Sequence, residues 1–88
     1  MITKDFIIEN KTGLHARPAS KFVQVANEFK SDIFIEKGNT RVNAKSIMGV
    51  MTLGAGRGSK IRLIVDGIDQ EEALETLSQL IQSNFGEE

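Results

Sequence analysis

The chain contains no cysteine, one proline and one histidine. Without cysteine, neither a disulfide nor a thiolate zinc site is available. It also lacks an excess of charge of either sign: Lys and Arg number 11 against 12 for Asp and Glu, a formal net charge of −1. That balance excludes a nucleic-acid or membrane partner held by bulk electrostatics. No apolar run approaches a membrane span. The N-terminus, "MITKDFIIEN", offers only a three-residue apolar run, so it does not read as a signal peptide. No repeat, low-complexity tract or linker interrupts the chain. What remains is 88 residues, 40% hydrophobic and 26% charged, too apolar to stay disordered and long enough for one modest core. The expectation is a single domain over residues 1–88, soluble and cytoplasmic.

Local pattern supplies the elements. Residues 2–8, "ITKDFII", are β-branched and aromatic and read as a strand, followed by a turn cluster from Asn10 to Gly13. Ala16, Ala19, Phe22, Val23, Ala26 and Phe29 then form a helical stripe. Pro18 falls in the first turn of that helix, where its missing N–H is harmless. Segments 32–36 and 40–43 read as short strands joined at Gly38-Asn39. Ser46 opens a short helix over 47–53, which the glycine run 54–58 ends. Residues 60–67 alternate as a strand, with Ile61, Leu63 and Val65 on one face. Asp69 with Glu72 has the spacing of a capping box. The last helix carries Ala73, Leu74, Leu77, Leu80, Ile81 and Phe85 and is closed by Gly86. The order β-α-β-β-α-β-α predicts an α+β fold, one mostly antiparallel sheet with helices on one face.

Three apparent motifs carry no chemistry. "NKT" at 10–12 matches a glycosylation acceptor that a cytoplasmic chain never uses. "GAGRG" at 54–58 resembles a nucleotide loop, yet it follows a helix and lacks the GK[ST] ending. Glu71, Glu72 and Glu75 lie near a helix N-terminus, where negative charge is favoured without any ligand.

His15 is different. A lone histidine near a helix start is often a capping or packing residue. Here Gly13 frees the backbone just before it, Leu14 can anchor in the core, and the imidazole is left at the mouth of the helix. The N–H groups of the first turn, at Ala16 and beyond, lack intrahelical partners and form an anion site. Arg17 adds a guanidinium fork suited to phosphate, and Thr12 offers a hydroxyl nearby. Phosphoryl transfer asks little more of an acceptor than a neutral ring nitrogen, positioning and charge compensation. No acid–base dyad or metal cluster accompanies the histidine, so hydrolysis is disfavoured. The stretch reads as a place that holds a phosphoryl group and gives it up.

The blocks "GLHARPA" (13–19) and "KSIMGVMTLG" (45–54) resemble the two signatures of the HPr family, the histidine-containing phosphocarriers of the bacterial sugar phosphotransferase system. The resemblance covers the whole chain, and the second block resembles the Gram-positive version. It implies an open-faced β-sandwich, a four-stranded antiparallel sheet with three helices on one face. It implies phosphorylation of His15 on Nδ1, with Arg17 holding the phosphate and Thr12 and Ala16 as further phosphate or partner contacts. It implies transfer from phosphoenolpyruvate through Enzyme I to the IIA domains of sugar permeases, with no cofactor or metal. Such a protein is a carrier and not itself an enzyme, and a monomer is expected. Phe22, where many Gram-positive members carry an aliphatic residue, departs from the pattern without touching the chemistry.

Taken alone, Ser46 is an N-cap. The resemblance adds phosphorylation there by an HPr kinase/phosphorylase, and binding of the modified form to the catabolite control transcription factor. Both readings coexist, since phosphate at a helix N-terminus improves the cap. Met48 and Met51 fit a core or, with Ile47, an adaptable exposed patch; their place beside Ser46 favours the patch. A purely regulatory paralogue of the same fold is the main alternative, and His15 argues against it, because the resemblance implies that such paralogues lack the histidine. An unrelated small enzyme is disfavoured by the lack of a second titratable group beside His15.

Overall fold

The computed structural model describes residues 1–87. In chain order its elements are β1 (Ile2–Ile7), α1 (Ala16–Ala26), β2 (Asp32–Lys37), β3 (Thr40–Asn43), α2 (Ile47–Thr52), β4 (Lys60–Asp66) and α3 (Gln70–Gln82). The four strands form one antiparallel sheet in the order β1-β4-β2-β3. The expected element order and open-faced sandwich are both found.

Register explains which face is covered. Ile2, Phe6 and then Ile8 fall on the same side as Ile61, Leu63 and Val65 of β4 and Ile33 and Ile35 of β2. Period-two alternation therefore turns one apolar row per strand toward the helices. Phe22, Ala19 and Ala26 of α1 and Ala73, Leu77 and Ile81 of α3 close over that row, each less than 5% exposed. Every fully buried Ile, Leu or Phe adds about 1.5–3 kcal/mol of burial. The other face stays open and carries a charge ladder: Asp5, Arg62, Glu36 and Arg41 lie opposite one another across all four strands. Arg62 Nε meets Asp5 Oδ1 at 2.8 Å and Arg41 Nη2 meets Glu36 Oε2 at 3.2 Å. Opposite signs in register favour this pairing, although exposed ion pairs contribute little each. Ile64, between Thr3 and Phe34 on the open face, is only 3% exposed. Simple alternation gives no sign of its burial. Among the described residues no helix is long and apolar enough to cross a membrane.

Three local expectations need correction. Helix α1 ends at Ala26, so Phe29 reaches the core from the following loop, at 9% exposure. Helix α3 ends at Gln82. Phe85 and Gly86 lie beyond it in a tight turn, with Phe85 at φ +56°. Finally, Asp69 is the N-cap residue of α3 but makes no side-chain cap bond, so there is no capping box.

Its carboxylate is engaged across the fold instead. It accepts from the backbone N–H groups of Lys30 and Ser31, both at 2.9 Å, and from the Ser31 hydroxyl. The three donors offered by the α1–β2 loop hold the carboxylate away from the N–H groups of its own helix. The Ser31 hydroxyl, followed by the Lys30 N–H, holds the Asp69 carboxyl below its ordinary value of 3.8. A depressed folded pKa means stability that is present above the unfolded value and lost as pH falls through the folded one. Acidification below about pH 4 is therefore expected to weaken this clasp. Chemical denaturation of the wild type and Asp69→Asn between pH 6 and pH 2.5 checks it: the gap in stability at pH 6 should narrow steadily toward pH 2.5. A gap that stays constant would show that Asp69 is not the group responsible.

Candidate functional site

The site is built at the start of α1, and the loop beneath it is fixed by the backbone. The Gly13 N–H donates to the Asn10 carbonyl at 3.1 Å, and the Leu14 N–H donates to the Ala55 carbonyl at 2.8 Å. Gly13 adopts φ +64°, and a Cβ there would lie 2.5 Å from the Ala55 oxygen. Leu14 is buried at 5% exposure. One residue later the chain leaves the core, and His15 is exposed.

His15 is the N-cap residue of α1, in extended conformation with φ −78° and ψ −177°, and its side chain makes no cap bond. Its carbonyl accepts from the Ala19 N–H at 2.8 Å. Because Pro18 has no N–H, the donors left at the helix mouth are those of Ala16 and Arg17. The imidazole thus stands free beside two backbone donors and the positive end of an 11-residue helix. Arg17 is exposed, and none of the ion pairs among the described residues uses its guanidinium. Arg17 and Thr12 share the wall of an open cavity of about 780 Å³ with Lys11, Ser20 and Lys21. His15 does not line that cavity.

Two features of this region carry no local signal in the sequence. Asn10, dismissed as part of a glycosylation motif, is 2% exposed and donates through Nδ2 to the Gly13 carbonyl at 2.8 Å and to Glu87 Oε1 at 3.1 Å. Those two acceptors fix its amide orientation and leave Oδ1 buried without a partner among the described residues. The Thr12 hydroxyl also donates to Glu87 Oε1, at 3.1 Å. The hydroxyl expected to face a phosphate is therefore already taken. Spacing of Arg17 and Lys21 at i and i+4 does mark a cationic face of α1.

Ser46 is the N-cap of α2, and its Oγ accepts from the Gly49 N–H at 3.2 Å. The C-terminal end of α2 runs into the Ala55 segment beneath Leu14. Its N-terminal end lies by the far end of α1, where Asn27 Nδ2 donates to the Lys45 carbonyl at 3.2 Å. The two helices pack against each other in opposite directions. Ile47, Met48 and Met51 are exposed by 38%, 76% and 43%. They are surface and not core, on the helix that lies beside the His15 loop.

The chain thus has one wall of helices over an open sheet and an exposed imidazole, without a cap bond, at a helix mouth. Residues 2–83 match the model of the HPr component phosphorylation site of the phosphotransferase system. The chain is 55% identical over 82 residues to the HPr-like protein Crh of Halalkalibacterium halodurans, covering 93% of this chain and 98% of that protein. It is 48% identical over 87 residues to the phosphocarrier protein HPr of Neisseria meningitidis, covering 99% and 98%. HPr of Thermoanaerobacter tengcongensis superposes with a TM-score of 0.97 at 55% identity, over 100% of this chain and 99% of that one. The chain belongs to the HPr family of phosphocarrier proteins, which are not enzymes in themselves. A dimeric form of the Thermoanaerobacter protein, 56% identical with a TM-score of 0.80 over 93% of this chain and 94% of that one, stands against the expected monomer.

Proposed function

We propose that His15 carries a phosphoryl group, received in the cytoplasm from phospho-Enzyme I and passed to the IIA domains of sugar permeases. The observation that carries this reading is the exposed, uncapped imidazole beside the free N–H groups of Ala16 and Arg17. Arg17 compensates phosphate charge, because its guanidinium is exposed and joins no ion pair among the described residues. Thr12 serves as a further donor once Glu87 releases it. Ile47, Met48 and Met51 form the apolar part of the partner surface. Incubation with Enzyme I and phosphoenolpyruvate tests the reading: an acid-labile, base-stable phosphate is expected, and its absence overturns it. A Crh-like role, regulatory and without transfer, is the second reading, since the chain is as similar to Crh of H. halodurans, at 55% identity, as to HPr of T. tengcongensis. The same incubation separates the two.

Ser46 in this proposal is a regulatory site for an HPr kinase/phosphorylase, and the phosphorylated form binds the catabolite control transcription factor through Met48 and Met51. Its influence on His15 acts through the partner. Six residues of α2 span about 9 Å at about 1.5 Å per residue, so a charge at Ser46 is roughly a Debye length from the His15 end. An acidic Enzyme I surface resting on both helices meets that charge directly, and rim charges chiefly change association rate. Ser46→Asp is therefore expected to lower the rate of His15 phosphorylation about three- to tenfold at low salt, and less at high salt. Stability should stay equal or rise slightly, since Asp also caps well. Equal rates for Ser46→Asp and wild type at 20 mM and 500 mM salt (about 20 Å and 4 Å of screening) would leave Ser46 as a cap alone.

A further inference from the structure

Helix α2 is only six residues long, yet it carries a glycine, Gly49, in its interior. Apart from proline, glycine is the residue that least favours a helix interior. Backbone conformation or lack of room usually explains such a residue, and neither applies here. The φ of Gly49 is outside the left-handed region, so its backbone suits any L side chain. A Cβ on it would lie 3.4 Å from the Asn43 carbonyl oxygen and 3.5 Å from both Ser46 Cβ and Ser46 Oγ. Those are ordinary van der Waals contacts, unlike the 2.5 Å approach to backbone that a Cβ at Gly13 would make. The polar groups of Gly49 do not require a glycine either. Its N–H donates to Ser46 Oγ at 3.2 Å and its carbonyl accepts from Thr52 Oγ1 at 2.8 Å. Alanine would keep both bonds. What glycine alone provides is space over the Ser46 hydroxyl. A helical Cβ tilts toward the helix N-terminus, so a side chain at 49 would lean back over Ser46, three residues earlier.

We propose that Gly49 is a specificity-determining residue for phosphorylation of Ser46, keeping open the side of the hydroxyl that the phosphoryl donor must reach. The inference rests on Ser46 being the regulatory site. In that step Ser46 Oγ forms a bond to the γ-phosphorus of a nucleoside triphosphate, and the bond from that phosphorus to the bridging oxygen breaks. The nucleoside diphosphate keeps the electron pair, and the hydroxyl proton passes to a base of the kinase. A productive pose brings the reacting atoms to about 3–3.5 Å. A Cβ at 49 would occupy the same shell around the same oxygen, at 3.5 Å. The Gly49 N–H already takes one lone pair of Oγ, which narrows the remaining approach further. Gly49 brings no catalytic group to the step, since any residue except proline supplies the same N–H. Its part is access.

The test separates access from folding. Wild type, Gly49→Ala and Gly49→Leu are incubated with HPr kinase/phosphorylase and ATP, and kcat and KM for phosphorylation of Ser46 are measured beside thermal melts. Gly49→Ala is expected to melt at the wild-type temperature or a few degrees above it, because alanine is the better helix former. Its phosphorylation should nonetheless be about tenfold slower, chiefly in kcat, and that of Gly49→Leu about a hundredfold slower. Ser46→Ala serves as the blank that assigns the label to Ser46. A glycine needed only for packing gives the opposite pattern, a lowered Tm in Gly49→Ala with kcat unchanged. That pattern, or equal rates in all three proteins, would overturn the proposal while leaving Ser46 as the regulatory site. A wild type that takes no phosphate on Ser46 overturns both.

Discussion

His15→Ala is expected to take no phosphate from Enzyme I while folding as the wild type does. The side chain is exposed and makes no cap bond, so its removal leaves no buried group unpaired and no cavity. Surface changes of that kind fall within about 0.5 kcal/mol. Arg17→Ala provides the contrast. Its guanidinium is equally exposed and outside every described ion pair, so stability should again hold within about 0.5 kcal/mol, while transfer slows on the order of tenfold to a hundredfold through lost charge compensation. Labelling from radioactive phosphoenolpyruvate, with thermal melts of the same preparations, measures both. Full labelling of His15→Ala would move the phosphate elsewhere. A destabilised Arg17→Ala with unchanged transfer would make that arginine structural.

The division of labour behind these expectations follows from the geometry at the start of α1. What the fold supplies is presentation: a buried Leu14, a free imidazole one residue later, and two unsatisfied N–H groups with a cation beside them. In the proposed carrier these are the groups that stabilise charge on a phosphoryl group.

Most of this was legible because it is local. The inward row Ile61, Leu63 and Val65 of β4, the stripe of α1 as far as Ala26 and the Ser46 cap each depend on residues within a few positions of one another, and each took the form its spacing predicts. The failures are non-local competitions. Asp69 has the spacing of a capping box, yet Lys30 and Ser31, 39 and 38 residues away, offer its carboxylate three donors. Phe85 continues the apolar period of α3, but its ring is held against Phe22 and the helix stops short of it. Glu87 lies 75 residues from Thr12, and nothing within its own segment indicates where it goes. Ile64 is buried on the face that alternation assigns to solvent, because Thr3 and Phe34 stand opposite it in register.

The second large effect is expected at Gly13, where backbone geometry and the His15 site meet. The residue sits at φ +64°, in the region that side chains rarely adopt. It is also buried, and a Cβ would lie 2.5 Å from the Ala55 oxygen and 2.6 Å from Gly56 Cα, both backbone atoms. Neither can swing aside as a side-chain tip would. Left-handed strain and overpacking each cost about 1–3 kcal/mol, so Gly13→Ala is expected to lose roughly 2–6 kcal/mol. For a domain of this size that is a fall of at least about 10 °C in Tm. The function should suffer beyond that loss. Relief of the clash means moving the Gly13–Leu14 backbone away from the 54–58 loop, and the Leu14 N–H bond to the Ala55 carbonyl at 2.8 Å anchors the residue immediately before His15. Measured at 15 °C, where the variant is folded, phosphorylation of Gly13→Ala by Enzyme I should still be several-fold slower than wild type. Gln79→Ala, on the exposed face of α3, is the control expected to change neither quantity. A Gly13→Ala protein with wild-type Tm and rate would show that the loop yields freely and that its packing against residues 54–58 does not position the histidine.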